Sequence, residues 1–210
     1  MKRGFIFLKT ENKKKTKSNF FALISRMKYI NRWALMRNTR SENLSEHSLE
    51  VAAVAHALAL IHNKRFGGNI NAERAAVLGM FHDAPEILVG DMPTPVKYHS
   101  EAVREAYKTV EESACRTILE MVPGDLRDEY LPLFFQSESD GELWRYVKAA
   151  DKICALTKCI EEKKAGNSEF DKAAETTLKA IKALEMPEVE CFLQEFIPGF
   201  KLTLDELREF

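Results

Sequence analysis

NLSEHSLEVAAVAHALALIH, residues 43–62, is the stretch whose reading decides the fold. Asn43 with Glu46 three residues later reads as a capping box, the start of a helix that the apolar pattern carries to about His62. At about 100° per residue, His47, Val51, Val54, Leu58 and Ile61 share one narrow arc, so the histidine lies on the face that points into a core. Leu49 and Leu60 on the other side, with many alanines between, predict a helix buried nearly all round, at the centre of a bundle.

Working outward, the pattern stays helical, with little alternation of period two and with Gly and Pro confined to junctions such as Gly67-Gly68, Pro93-Thr94-Pro95, Pro123-Gly124 and Pro187. One helix is expected over residues 18–30, followed by a polar loop through Arg37 to Glu42. Asn71 caps another that runs through Val77, Leu78, Met80 and Phe81 and delivers His82-Asp83 at its C-terminal end, before Pro85 disturbs the hydrogen-bond ladder. A helix over 101–121 stops at Pro123-Gly124, and one over 142–164 carries Asp151. Weaker helices near 168–185 and 189–196 complete an all-α domain.

At 210 residues the chain suits one domain that needs neither disulfides nor a structural metal. With 31 Lys and Arg against 32 Asp and Glu, nothing in the overall balance calls for nucleic acid or an anionic membrane. Cys115, Cys154, Cys159 and Cys191 form no CxxC pair and are expected as buried thiols in a reducing cytoplasm. No run approaches the ~18 apolar residues of a membrane span, and the Phe5-Ile6-Phe7-Leu8 run is too short for a signal peptide. Residues 1–17 form a basic extension expected to fray, leaving 18–210 as the domain; as a nucleic-acid arm it would predict strongly salt-dependent binding.

Three places along the chain offer metal ligands: His47, His82-Asp83 and Asp151. Two imidazoles and two carboxylates make a mixed nitrogen and oxygen site that suits a transition metal and leaves positions open for water and substrate oxygen. Each also has an ordinary structural reading: His47 as a satisfied core histidine, His82-Asp83 as a helix-end charge pair, and Asp151 as a solvated acid sharing its side with Lys148, Lys158 and Trp144. His56 and His62 read as structural, and His99 sits in a loop. After His82-Asp83, the segment through Glu86, Asp91, Thr94 and Lys97 supplies two acids, a hydroxyl and a cation, the groups that phosphate ester hydrolysis requires.

That segment, with Asn31-Arg32-Trp33-Ala34-Leu35-Met36-Arg37-Asn38 upstream and Ser45-Glu46-His47-Ser48 between, closely resembles the bacterial HD-domain 5'-deoxynucleotidases, members of the HD superfamily of metal-dependent phosphohydrolases. The similarity covers about residues 18–210. It implies an HD-domain helical bundle with one divalent transition metal (Co, Mn, Zn, Cu or Fe) on His47, His82, Asp83 and Asp151. Glu86 and Asp91 take catalytic roles, and Arg32, Trp33 and Asp91 shape the nucleotide site, with Thr94 and Lys97 as further substrate contacts. It also implies a homodimer acting on deoxyribonucleoside 5'-monophosphates. Pro85 departs from the small polar residue usual there, and the resemblance does not explain residues 1–17. The competing expectations are an HD hydrolase of another phosphoester, such as a triphosphate or an alarmone, and a helical regulatory module without activity.

Overall fold

A computed structural model describes residues 17–97, 99–137 and 140–208. The basic extension expected over 1–17 therefore falls outside the described residues, apart from Lys17. The described residues form no strand, only an isolated antiparallel bridge between Asn31 and Asn43. The helices in chain order are α1 (Phe20–Ile24), α2 (Leu44–Arg65), α3 (Ala72–Phe81), α4 (Glu86–Val89), α5 (Thr94–Lys97), α6 (Glu101–Glu120), α7 (Arg127–Phe134), α8 (Leu143–Lys164), α9 (Asp171–Lys182) and α10 (Pro187–Glu195).

Helix α2 packs against α3, α8 and α10, and their apolar faces meet in the main core. Val51, Ala55 and Leu58 of α2 pack with Ala75 and Leu78 of α3, Ala150 and Ile153 of α8, and Phe192 of α10. Burying each of the larger side chains fully stabilises the fold by about 1.5–3 kcal/mol. A smaller cluster of Met27, Leu44, Ala84 and Ile87 lies under the start of α2 and the turn after α3. Gly79 sets the α2–α3 crossing, because a Cβ there would meet Ala52 Cα at 2.9 Å. Only a residue without a side chain lets the two backbones approach so closely.

The expectation of a helix buried all round is corrected by the structure. Leu49 is 66% exposed and Leu60 40%, so α2 shows one apolar stripe to the outside. Helix α2 is also long and apolar enough to cross a membrane by length and composition, contrary to the reading of the sequence, but half of that window is buried inside the bundle. The Asn43 side chain accepts from the Ser45 and Glu46 amides as a cap should, while Glu46 turns to Arg40 instead of closing the box. The first expected helix changes to 3-10 winding over Ser25–Tyr29, and α7, with Pro132 inside it, went unread because proline argues against a helix.

Candidate active site

The α2–α3 crossing brings two imidazoles together, His47 and His82, with ring centroids 5.3 Å apart and the ring planes tilted by 53°. His82 Nδ1 lies 2.8 Å from the Gly79 carbonyl, which can only accept, so the ring proton sits on Nδ1 and Nε2 points to Asp83 Oδ2 at 3.1 Å. His47 Nε2 lies 3.2 Å from Asp151 Oδ1 and 3.5 Å from Asp83 Oδ2. Both Nε2 atoms are buried without a hydrogen-bond partner in the protein. One donor atom each from His47, His82 and Asp83 lies within 4.8 Å of the others, and Asp151 joins the group through His47. Buried lone pairs and carboxylates converging in this way fit a divalent cation of the borderline class.

Asp151 corrects the wheel in part. Its side chain, 40% exposed, meets His47 while opening to a cleft. Its side of α8 is divided: Lys148 is exposed, whereas Lys158 is buried under the loop that follows Trp33, donating to Glu162 and to the Arg40 carbonyl. That loop is pinned at Glu162, whose carboxylate accepts from the Thr39 amide at 2.9 Å, the Thr39 hydroxyl at 2.7 Å and Asn167 Nδ2 at 2.8 Å.

Arg32 reaches from the loop into the cluster, with Nη1 donating to Asp83 Oδ2 at 3.1 Å and Nη2 3.9 Å from Asp151. Burial would raise the Asp83 carboxyl, but His82, His47 and Arg32 hold it well below the usual carboxylate range. Burial likewise opposes charge on His47, yet Asp151, Glu42 and Asp83 push its pKa up to about 9. Glu86 is buried at the start of α4, and burial, reinforced by Asp83 and Asp91, pushes it up to about 10. Pro85 does not misdirect it: the proline is itself buried as the N-cap of α4, and the Glu86 amide donates to the Asp83 carbonyl. Glu86 is thus a buried carboxyl with Oε2 unpaired.

Beside the cluster opens a cleft of about 700 Å³, walled by Arg32, Trp33, Asp91, Thr94 and Asp151 and, from α9, by Lys172 and Thr176. Trp33 takes φ 59°, its amide donates to Asp91 Oδ2 at 3.2 Å, and its ring lies 5.3 Å from that of Phe170. Burial raises the Asp91 carboxyl above its ordinary range. Lys97 is placed differently: its ammonium lies 3.0 Å from Glu111 and over the Tyr107 ring, outside the cleft wall. His99 is exposed and His62 pairs with Glu188, both away from the cluster. Sequence reasoning missed the α9 wall and Glu42. Glu42 lies in a polar loop with no spacing to mark it, although it meets Arg32, Trp33 and His47.

Comparison with known proteins gives the family and the fold. A family model described as 5'-deoxynucleotidase YfbR-like matches residues 19–200. A 5'-deoxynucleotidase YfbR of Escherichia coli is 51% identical over 193 residues, 91% of this chain and 96% of that protein. A 5'-deoxynucleotidase of Photorhabdus temperata is 50% identical over 190 residues, 90% and 96% of the two chains. Among solved structures, an HD-domain phosphohydrolase from Listeria innocua superposes with a TM-score of 0.76 at 25% identity, covering 87% of this chain and 88% of that one. The cyanophage S-2L HD phosphohydrolase DatZ, at 18% identity and a TM-score of 0.63 over 85% of this chain and 96% of that one, shares the fold. The chain belongs to the YfbR-like 5'-deoxynucleotidase family, and its architecture is the all-α HD fold.

Proposed function

We propose that this member of the YfbR-like family hydrolyses deoxyribonucleoside 5'-monophosphates to deoxynucleoside and phosphate, with one divalent transition metal held by His47, His82, Asp83 and Asp151. The observation that carries the reading is the His47, His82 and Asp83 cluster opening beside a cleft walled by Arg32, Trp33 and Asp91. When bound, the cation supplies Lewis acidity that activates water and offsets charge on the phosphoryl oxygens.

The chain's own residues do the rest. Arg32, aimed at the cluster and always charged, binds phosphate oxygens. Glu86, buried one turn after Asp83 with Oε2 unpaired, handles or orients a proton in the step, and Asp91 holds the Trp33 backbone. The Trp33 ring is a flat wall for the sugar, and Thr94 offers a hydroxyl at the rim. Lys97, held by Glu111 at 3.0 Å, stands outside the cleft wall and is the more distant candidate for phosphate. The exposed apolar residues Leu49 and Leu60 of α2 with Val77 and Met80 of α3 support a homodimer that covers them. The free thiols of Cys115, Cys154, Cys159 and Cys191 support a reducing, cytoplasmic setting.

The test is phosphate release from a deoxyribonucleoside 5'-monophosphate after chelation and re-addition of Co²⁺ or Mn²⁺. Activity lost to chelator and restored by the metal is expected; undiminished turnover of protein shown to be metal-free rejects the reading.

A further inference from the structure

Three residues of the site meet at one carboxylate. Trp33 Nε1–H donates to Glu42 Oε2 at 3.0 Å, Arg32 Nε lies 3.1 Å from Glu42 Oε1, and His47 Nδ1 lies 3.2 Å from the same oxygen. The Glu42 side chain is 13% exposed and sits where the chain closes its loop, with the Arg32 amide donating to the Glu42 carbonyl at 2.9 Å. The next residue, Asn43, caps α2.

We infer that Glu42 is a positioning residue that fixes His47 with its proton on Nδ1 and Nε2 bare for the cation, while holding Arg32 and the Trp33 indole in the cleft. Metal affinity and selection of deoxyribose then depend on one side chain. The inference rests on the proposed function above.

Both ring nitrogens of this fully buried imidazole face carboxylates, Nδ1 that of Glu42 and Nε2 those of Asp151 and Asp83. With a cation held at Nε2 the ring proton is left to Nδ1, where Glu42 is the acceptor that keeps it. Of the three residues at Glu42, Trp33 makes a hydrogen bond, while Arg32 Nε and His47 Nδ1 stand at ion-pair distance without hydrogen-bond alignment. An ionised carboxylate has about four lone-pair sites, enough to face all three. A glutamine has one oxygen, and its NH₂ must face at least one of those donors. Trp33 needs the tether for a second reason, since φ 59° is a region that a bulky residue seldom adopts. The Glu42 bond, the Asp91 bond and the Phe170 ring together hold the indole where it lies.

The experiment compares wild type, Glu42→Gln and Trp33→Phe, which keeps a flat ring without the indole N–H. Each protein is stripped by chelator, titrated calorimetrically with Mn²⁺, and assayed on matched deoxyribo- and ribonucleoside 5'-monophosphates. Glu42→Gln is expected to bind Mn²⁺ about 10–100-fold more weakly. Its deoxyribo-to-ribo kcat/KM ratio should also fall by about tenfold, the effect of one lost hydrogen bond. Trp33→Phe should lose the ratio and keep the Mn²⁺ affinity. In Zn²⁺-loaded wild type, long-range ¹H–¹⁵N correlation should place the His47 proton on Nδ1, a readout that stands whether or not Glu42→Gln folds. The inference is overturned by a His47 proton on Nε2, or by a Glu42→Gln protein with wild-type Mn²⁺ affinity and sugar ratio. Wild type that binds no Mn²⁺ overturns the metal reading itself, and this inference with it.

Discussion

His47 of α2 and Asp151 of α8 approach to 3.2 Å, Nε2 to Oδ1, across the seam between the two longest helices. Their contact joins the halves of the chain at the point where the cleft begins. As proposed ligands of one cation they share a consequence: Asp151→Ala should leave the helical fold intact but strip the metal, read by elemental analysis after gel filtration. Full metal content with wild-type turnover would remove Asp151 from the ligand set.

Glu86 separates proton handling from ligation. It follows Asp83 by one turn, is buried, and carries an unpaired Oε2. Glu86→Gln should therefore keep its metal while kcat falls by about 10²–10⁴, the usual contribution of a positioned acid or base. Metal and activity falling together would place Glu86 among the ligands instead.

Glu162 anchors the loop that follows Trp33. Burial favours its neutral form, but bonds from Lys158, Asn167 and Thr39 outweigh this and hold the carboxyl below its ordinary range. A carboxyl lowered on folding stabilises fully above its unfolded value of 4.5, and the contribution fades as pH falls below it. Glu162→Gln should thus cost about 1–3 kcal/mol at pH 7. The Tm gap to wild type should narrow in acid; an equal gap at pH 3 and pH 7 contradicts the assignment.

Much of this arrangement was legible from local rules. Asn43 and Asn71 cap helices where their spacing said they would, and periodicity put His47 on the core face. The wheel placed Asp151 on a polar side, and its side chain is indeed 40% exposed. What a wheel of one helix could not show is that His47 of α2 lies 3.2 Å away and that a distant loop held by Lys158 and Glu162 covers the next turns of α8. Glu42 was invisible for a similar reason: three residues that meet it come together only when the Asn31–Asn43 bridge forms. The exposure of Leu49 and Leu60 escaped notice because an apolar residue gives no sign of whether its own chain covers it.

The most direct test of the central claim is phosphate release by the metal-loaded protein across matched deoxyribo- and ribonucleoside 5'-monophosphates and deoxyribonucleoside triphosphates. The account predicts turnover of the deoxyribonucleoside monophosphates with the highest kcat/KM of the panel, abolished by chelator. Preference for triphosphates, or equal rates on ribo- and deoxyribonucleoside monophosphates, would contradict it.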